Sequence, residues 1–347
     1  MEDLKNTSNY KKQTIMIKKD NCILSFIIPV YNVELYIGKC LESITSQINK
    51  LSCASGIEVV IVNDGTKDNS MSVVDDYAIK NSYIKIIKQK NRGLSAARNI
   101  GLGNAQGKYI WFFDSDDYLQ SDSLQSIVDC LSGNYDMYVV DSCCVDERGT
   151  IVSSFKNKNQ DKSYGFLKSN SFVVWQYIVK RKIFETNGLK FYEGIYHEDI
   201  EFTPRMLHYI HTYMVTGVMA YCYLKRTGST TMGNGMEYNV KRAEDTFVAI
   251  KSLNDFHHSL PQDDKKEISR VISLAMNNIL QDIPNMSPNT ILKIRKLFVE
   301  NKGFFIHLYQ SGIPKYMIES FLFVLFPSLV MELFSILKFK TLKYLKR

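Results

Sequence analysis

The sequence predicts an α/β protein: a doubly wound, mainly parallel (mixed) sheet followed by a helical C-terminal region. Three observations predict it. From Ile23 to Cys144 short β-branched or aromatic runs alternate with amphipathic stretches, the order that right-handed crossovers turn into a parallel sheet. Two of those runs end in carboxylates, at the place where open α/β sheets take their ligands. Beyond Tyr238 the strand signal stops and only helical periodicity continues.

Ile23 to Val30 is the first strand, and Pro29 marks its end because proline cannot continue a ladder. Ile37, Leu41, Ile44 and Ile48 then recur at helical spacing over Leu35 to Ile48. Glu58 to Val62 is the second strand and ends in Asn63-Asp64-Gly65-Thr66. Asp68 to Lys80 sets Met71, Val74 and Ala78 on one face of a helix capped by Thr66 or Asp68. Tyr83 to Ile87, a third strand, leads through Asn91-Arg92-Gly93 into the helix start Ser95-Ala96-Ala97-Arg98. A helix N-terminus collects anions, and Arg98 one turn in offers a bidentate phosphate partner. Small residues before an arginine also make an ordinary helix contact.

Lys108 to Leu119 is the stretch around which the rest is arranged. Tyr109 to Phe113 is apolar enough to be covered on both faces, and it ends abruptly in Asp114, Asp116 and Asp117. Three carboxylates cannot share a dry interior without a cation or protons. A turn with helix-capping aspartates explains one of them; a ligand site explains all three. A helix over about Ser121 to Leu131 and a strand over Met137 to Cys144 complete the alternation.

Asp146 to Ser171 is polar and Lys-rich, the place for a long surface loop, and a boundary between two functional halves falls there. Trp175 to Phe184 has the pattern of a helix, stopped by Asn187-Gly188. Phe191 to Phe202 gathers Glu193, Glu198, Asp199, Glu201 and His197 among aromatics, and Glu198-Asp199 head a helix. Acids at a helix start are also what the dipole favours. Tyr221 to Leu224 is strand-like and precedes the basic, hydroxyl-rich Lys225-Arg226-Thr227-Gly228-Ser229, a turn suited to phosphates. Three helices follow, over about Tyr238 to Phe256, Asp263 to Leu280 and Thr290 to Val299. The adjacent His257-His258 pair suits a helix end better than a metal, since neighbours on a helix do not face one another.

A chain of 347 residues can bury a full core and has room for about two domains. Its 45% hydrophobic and 23% charged residues are those of a soluble globular protein. The net charge of +7 is uneven: Lys338, Lys340, Lys343, Lys346 and Arg347 crowd the last ten residues with no acid among them. Phe321 to Met331 is apolar but about half a bilayer's span, interrupted by Pro327 and Glu332. An apolar helix followed by a Lys-studded one fits an anchor lying on an anionic membrane surface, or a helix packed on a partner. No nucleic-acid partner is expected, and the helical region could pair two copies. Seven scattered cysteines without Cys-x-x-Cys spacing are reduced thiols, and Met1 to Asn21 lacks a secretory apolar region. A cytoplasmic location, peripheral on the inner face of the cell membrane, is the expectation.

Ile27-Ile28-Pro29-Val30-Tyr31-Asn32, Asn63-Asp64-Gly65-Thr66, Asn91-Arg92-Gly93, Ala97-Arg98-Asn99, Asp114-Ser115-Asp116-Asp117 and Glu198-Asp199 together resemble the family 2 glycosyltransferases in order and spacing. The likeness is specific from Ile23 to Leu119 and moderate through Thr231. It implies a GT-A fold that binds a UDP-sugar and transfers the sugar with inversion. The domains it suggests are a polar lead-in over 1–22 and a glycosyltransferase domain over 23–235, with a donor half 23–145 and an acceptor half 146–235. A helical region over 236–312 and a membrane-associating tail over 313–347 would follow.

The resemblance also implies roles. Pro29 and Tyr31 would line the base pocket, and Asp64 would accept the uracil imide proton. Asn91 and Arg98 would face the ribose and diphosphate, Asp114 and Ser115 the ribose and metal waters. Asp116 would ligate Mn²⁺ or Mg²⁺, and Asp117 would order the turn. Asp199 would be the catalytic base, with Glu198 shaping the acceptor pocket and His197 either walling it or adding a metal ligand. Arg226 and Ser229 would close on the diphosphate. The acceptor suggested is a polyprenyl-diphosphate-linked saccharide in bacterial surface polysaccharide assembly. Asn63 stands where the family commonly has aspartate, which leaves Asp64 in place. A nucleotidyltransferase acting on sugar phosphates would need a Gly-rich triphosphate loop, which Pro29 to Ile37 lacks. A non-catalytic saccharide-binding protein of the same fold is the other alternative.

Overall fold

A computed structural model describes residues 22–51, 56–160, 163–169, 172–226, 236–282, 287–313 and 315. The expectations for the lead-in over 1–21, for Ser229 and for the apolar and basic tail lie outside the described residues.

The first half follows the predicted alternation. It runs β1 (Leu24–Val30), α1 (Ile37–Ile48), β2 (Ile57–Asn63), α2 (Ser70–Lys80), β3 (Ile84–Lys88), α3 (Leu94–Asn104), β4 (Tyr109–Phe112), β5 (Tyr118–Leu119), α4 (Leu124–Leu131) and β6 (Met137–Val145). β3, β2, β1 and β4 lie side by side and parallel. β4 pairs only Leu24–Ile27 of β1, so Pro29 stands past the end of that ladder and its missing N–H costs no bond there.

The period of two sorts the strand residues between two cores. Phe26, Ile28, Tyr109 and Trp111 pack with α1 and α4 on one face. Ile27, Ile110 and Phe112 join the other. Gly101 lets α3 lie against the sheet, because a Cβ there would land on Cγ2 of Ile27.

The second half departs from the expected elements in three places. Trp175 to Phe184 is not one helix. It is a 3-10 turn at Val174–Gln176, strand β8 (Tyr177–Lys180) and helix α5 (Arg181–Thr186). β8 runs antiparallel to both β4 and β6 and closes the sheet between them. Ile178 faces one core, Tyr177 and Val179 the other, so the strand has no polar alternation to reveal it. The long loop over 146–171 holds β7 (Ile151–Phe155), hairpinned on β6, and a 3-10 turn at Ser163–Ser169 that buries Tyr164, Phe166 and Leu167. The strand at Tyr221 to Leu224 is the end of β9 (Tyr213–Leu224), which follows α6 (Glu198–His208).

The sheet order is β3-β2-β1-β4-β8-β6-β9-β5, with β7 beside β6, so parallel and antiparallel ladders share one mixed sheet. Helices α7 (Met236–Ser259), α8 (Gln262–Asp282), α9 (Pro288–Glu300) and α10 (Ile306–Gln310) form the helical region. Their apolar faces merge with α6 and the α3 side of the sheet in one core, from Ile27 to Leu308. His257 lies at the end of α7, where its Nε2 meets Ser269 Oγ at 3.2 Å, and the same hydroxyl meets His307 Nδ1 at 3.0 Å. Among the described residues no helix is long and apolar enough to cross a membrane.

Candidate active site

The carboxyl ends of β1, β2 and β4 and the start of α6 meet at one edge of the sheet. Gly65 takes φ +70° after Asp64, and a Cβ there would sit 2.8 Å from the Asn91 nitrogen. The chain can therefore fold Asp64 back onto the loop before α3. Asp64 is buried and accepts from Gln89 Nε2 at 2.5 Å, the Arg92 N–H at 2.8 Å and the Gly93 N–H at 2.8 Å. In this structure Asp64 shapes the loop that presents Asn91. Asn91 is exposed, Tyr31 is 42% exposed and Pro29 is buried in the strand behind them.

After β4 the three aspartates take separate surroundings. Asp117 is 1% exposed and accepts from the Tyr221 hydroxyl at 2.6 Å and the Leu224 N–H at 2.7 Å. It joins the turn to β9, the role expected of it. Burial, then the charges of Asp116 and Asp114, push its carboxyl well above the usual carboxylate range. Asp116 receives Arg226 Nε at 2.8 Å, and burial followed by the Asp114 charge raises it. Ser115 is buried between them.

Asp114 leads to the least expected arrangement. Arg98 is 1% exposed and forks between three acids from distant parts of the chain. Its Nη2 meets Asp114 Oδ1 at 2.7 Å, and its Nη1 meets Glu198 Oε1 at 2.5 Å and Asp199 Oδ1 at 3.4 Å. The resemblance puts Arg98 on the ribose and diphosphate side; in the fold its guanidinium meets carboxylates. Burial opposes the charge of Arg98, but Asp114, Glu198 and Asp199 outweigh it and hold the proton more firmly. For Asp199 burial is the largest effect and Glu198 adds to it, so its carboxyl lies well above the usual range, although Arg98 and the Val174 N–H favour the anion. A carboxylate kept basic in this way suits proton abstraction.

The loop before α6 is clamped from two sides. Asn99 exchanges two bonds with the Phe191 backbone, at 3.0 and 2.8 Å. Arg92 reaches Glu193 at 2.7 Å. From the helical region Asp245 accepts the Tyr196 N–H at 2.8 Å, and Ser252 donates to Glu201 at 2.6 Å. His197 caps α6 with φ 57°. Sequence reasoning missed Asp245 and Tyr221; Tyr221 had its aromatic run as a signal, while Asp245 sits on an ordinary helix with none.

Among the described residues no three His, Cys, Asp or Glu side chains converge as a cation cage. A Mg²⁺ or Mn²⁺ shared with phosphates would need only one or two carboxylates, and Asp116, whose second oxygen lies outside its bond to Arg226, could be one of them.

Residues 25–149 match the family model described as "Glycosyl transferase family 2". The chain is 34% identical over 191 residues to the uncharacterized glycosyltransferase EpsJ of Bacillus subtilis, covering 50% of this chain and 52% of that protein. It is 30% identical over 182 residues to an uncharacterized glycosyltransferase of Haemophilus influenzae, covering 52% of this chain and 70% of that one. The chain spans about half the length of most curated relatives that it matches at the head of the comparison. A crystal structure of S. aureus TarS 1-349 in complex with UDP-GlcNAc superposes with a TM-score of 0.59 at 20% identity, over 87% of this chain and 90% of that one. At that identity the likeness is one of fold, the mixed sheet with helices expected of a GT-A protein.

Proposed function

The chain belongs to glycosyltransferase family 2, and we propose that it transfers a sugar with inversion from a UDP-sugar to a hydroxyl of a saccharide acceptor. One observation carries the reading: the acid-lined end of β4 and the basic carboxylate of Asp199, far apart in sequence, share a single buried arginine. The proposed donor region and the proposed base would thereby be held at one point.

Tyr31 and Asn91 are proposed to frame the base and ribose over the loop that Asp64 holds, with Asp114 and Ser115 behind. Asp116 would hold Mn²⁺ or Mg²⁺, which when bound supplies positive charge against the departing diphosphate. Arg226, 2.8 Å from Asp116, brings a second cation to the same side, and Ser229 would follow it. Asp199 would take the proton of the attacking hydroxyl as that oxygen bonds to the anomeric carbon and the UDP oxygen leaves from the opposite face. Glu198 and His197 would border the acceptor. Loss of the base, in Asp199→Asn, is expected to slow transfer about 10²- to 10⁴-fold. UDP affinity should hold, and UDP release counted against a panel of UDP-sugars and acceptors measures both. Full transfer by the variant would remove Asp199 from this role.

The acceptor proposed is a polyprenyl-diphosphate-linked saccharide of a surface polysaccharide, met at the inner face of the membrane by the apolar and basic tail. The Lys-rich C-terminal residues support it. Transfer to lipid-linked acceptors should exceed transfer to soluble ones and fall when 316–347 is deleted. Equal use of both, unchanged by the deletion, would set the membrane reading aside.

A further inference from the structure

Trp175 has no role in the reading above, yet it stands between the two halves of the site. Its neighbour Val174 gives its N–H to Asp199. Its own carbonyl accepts from Trp111 Nε1 at 2.7 Å. Two residues on, β8 begins at Tyr177 and runs antiparallel beside β4, the strand that leads to Asp114. Trp175 therefore follows the holder of the base in the chain and precedes the strand that lies beside β4.

The ring is mounted flat. It lies on Tyr221 with centroids 4.2 Å apart and planes 7° apart, and it is near-parallel to Tyr223 at 6.2 Å and 13°. Tyr221 is itself fixed, because its hydroxyl donates to Asp117 at 2.6 Å and accepts from the Asp114 N–H at 3.3 Å. One indole face is thus spent on a rigid backing, and the ring keeps partial exposure where Trp111, in the same core, has none. A pyranose has an apolar face of C–H groups and hydroxyls around its edge, so a flat, electron-rich ring one residue from the holder of a carboxylate offers a partner for each.

We infer that Trp175 is the platform on which the acceptor's sugar ring stacks, presenting its hydroxyl to Asp199. The inference rests on the glycosyltransferase reading and adds a saccharide-stacking subsite to it. Hydrophobic contact with the sugar face would orient the acceptor, while Asp199 would recognise the single hydroxyl that reacts.

Trp111 and Trp175 are the chain's two tryptophans, which makes the test direct. Trp111→Phe leaves Trp175 as the sole indole emitter, and n-octyl glycosides of glucose, galactose and N-acetylglucosamine serve as probes. At least one should change that emission saturably. In Trp175→Phe, which keeps Trp111, the same glycoside should leave emission flat, and this second variant stands alone if the first fails to fold. In transfer assays Trp175→Ala should raise KM for that glycoside about tenfold, with a smaller rise for Trp175→Phe and UDP affinity altered less than about threefold. Emission unmoved by every glycoside in protein that binds UDP overturns the platform, as does a loss confined to UDP affinity. Absence of UDP binding by the unaltered protein overturns the enzyme reading and the platform with it.

Discussion

Arg98 balances three acids with one cation, which makes it the most consequential single side chain of the site. Removing one partner of a buried ion pair leaves charge without compensation and costs about 3–5 kcal/mol. Arg98→Met is expected to lose stability on that scale at neutral pH in urea unfolding. The sign of its pH dependence follows from Asp199. A carboxyl raised in the fold takes up a proton on folding, so its contribution is fully present below the unfolded value and lost as pH rises through the folded one. Without Arg98 the value climbs further, and the stability deficit should shrink as pH is lowered. The same shift bears on activity, because Asp199 as the proposed base would act only when ionised. The acidic limb of the kcat profile should lie above the ordinary carboxylate range and move to higher pH in Arg98→Lys, whose single ammonium cannot reproduce the fork. A limb at the usual carboxylate position in both proteins would assign the base elsewhere.

Elements place these residues through close packing. Arg98 reaches the acids because α3 lies hard against β1, and Gly101 is the residue that allows it. Gly101→Ala should cost about 1–3 kcal/mol by overpacking against Ile27, read as a lower denaturation midpoint with an unchanged slope. Whether an element was legible depended on its surroundings. Strands β1, β2 and β4 end in turns and acids that mark them, and α1 carries one apolar stripe. β8 is covered on both faces by cores of different composition, so its residues show neither alternation nor a polar edge, and they resembled a helix. β7 is short and exposed along its whole length, hence its merger with the surrounding polar loop.

At the scale of the whole molecule, the helical region is bonded to the loop before α6 and to α6 itself, the proposed acceptor side, rather than hung on as an appendage. Asp245 on α7 is buried and holds the Tyr196 N–H, while Ser252, two turns on, anchors α6 through Glu201. Asp245→Ala should therefore loosen the loop over 191–197 and raise acceptor KM several-fold, leaving UDP affinity near its original value. Paired titrations of donor and acceptor measure the difference; equal effects on both would mean a general loss of fold.

The sequence by itself determined the alternating half of the sheet, the acids at the strand ends, the family and the identity of the proposed base. These rest on short-range features: periodicity within one element and motifs a few residues long. Tertiary structure alone decided that Arg98 meets three carboxylates, that β8 fills the gap between β4 and β6, and that Asp245 steadies the loop before α6. Each depends on which distant segments meet. A buried charge chooses its partner by proximity and desolvation, and neither is written in the residues beside it.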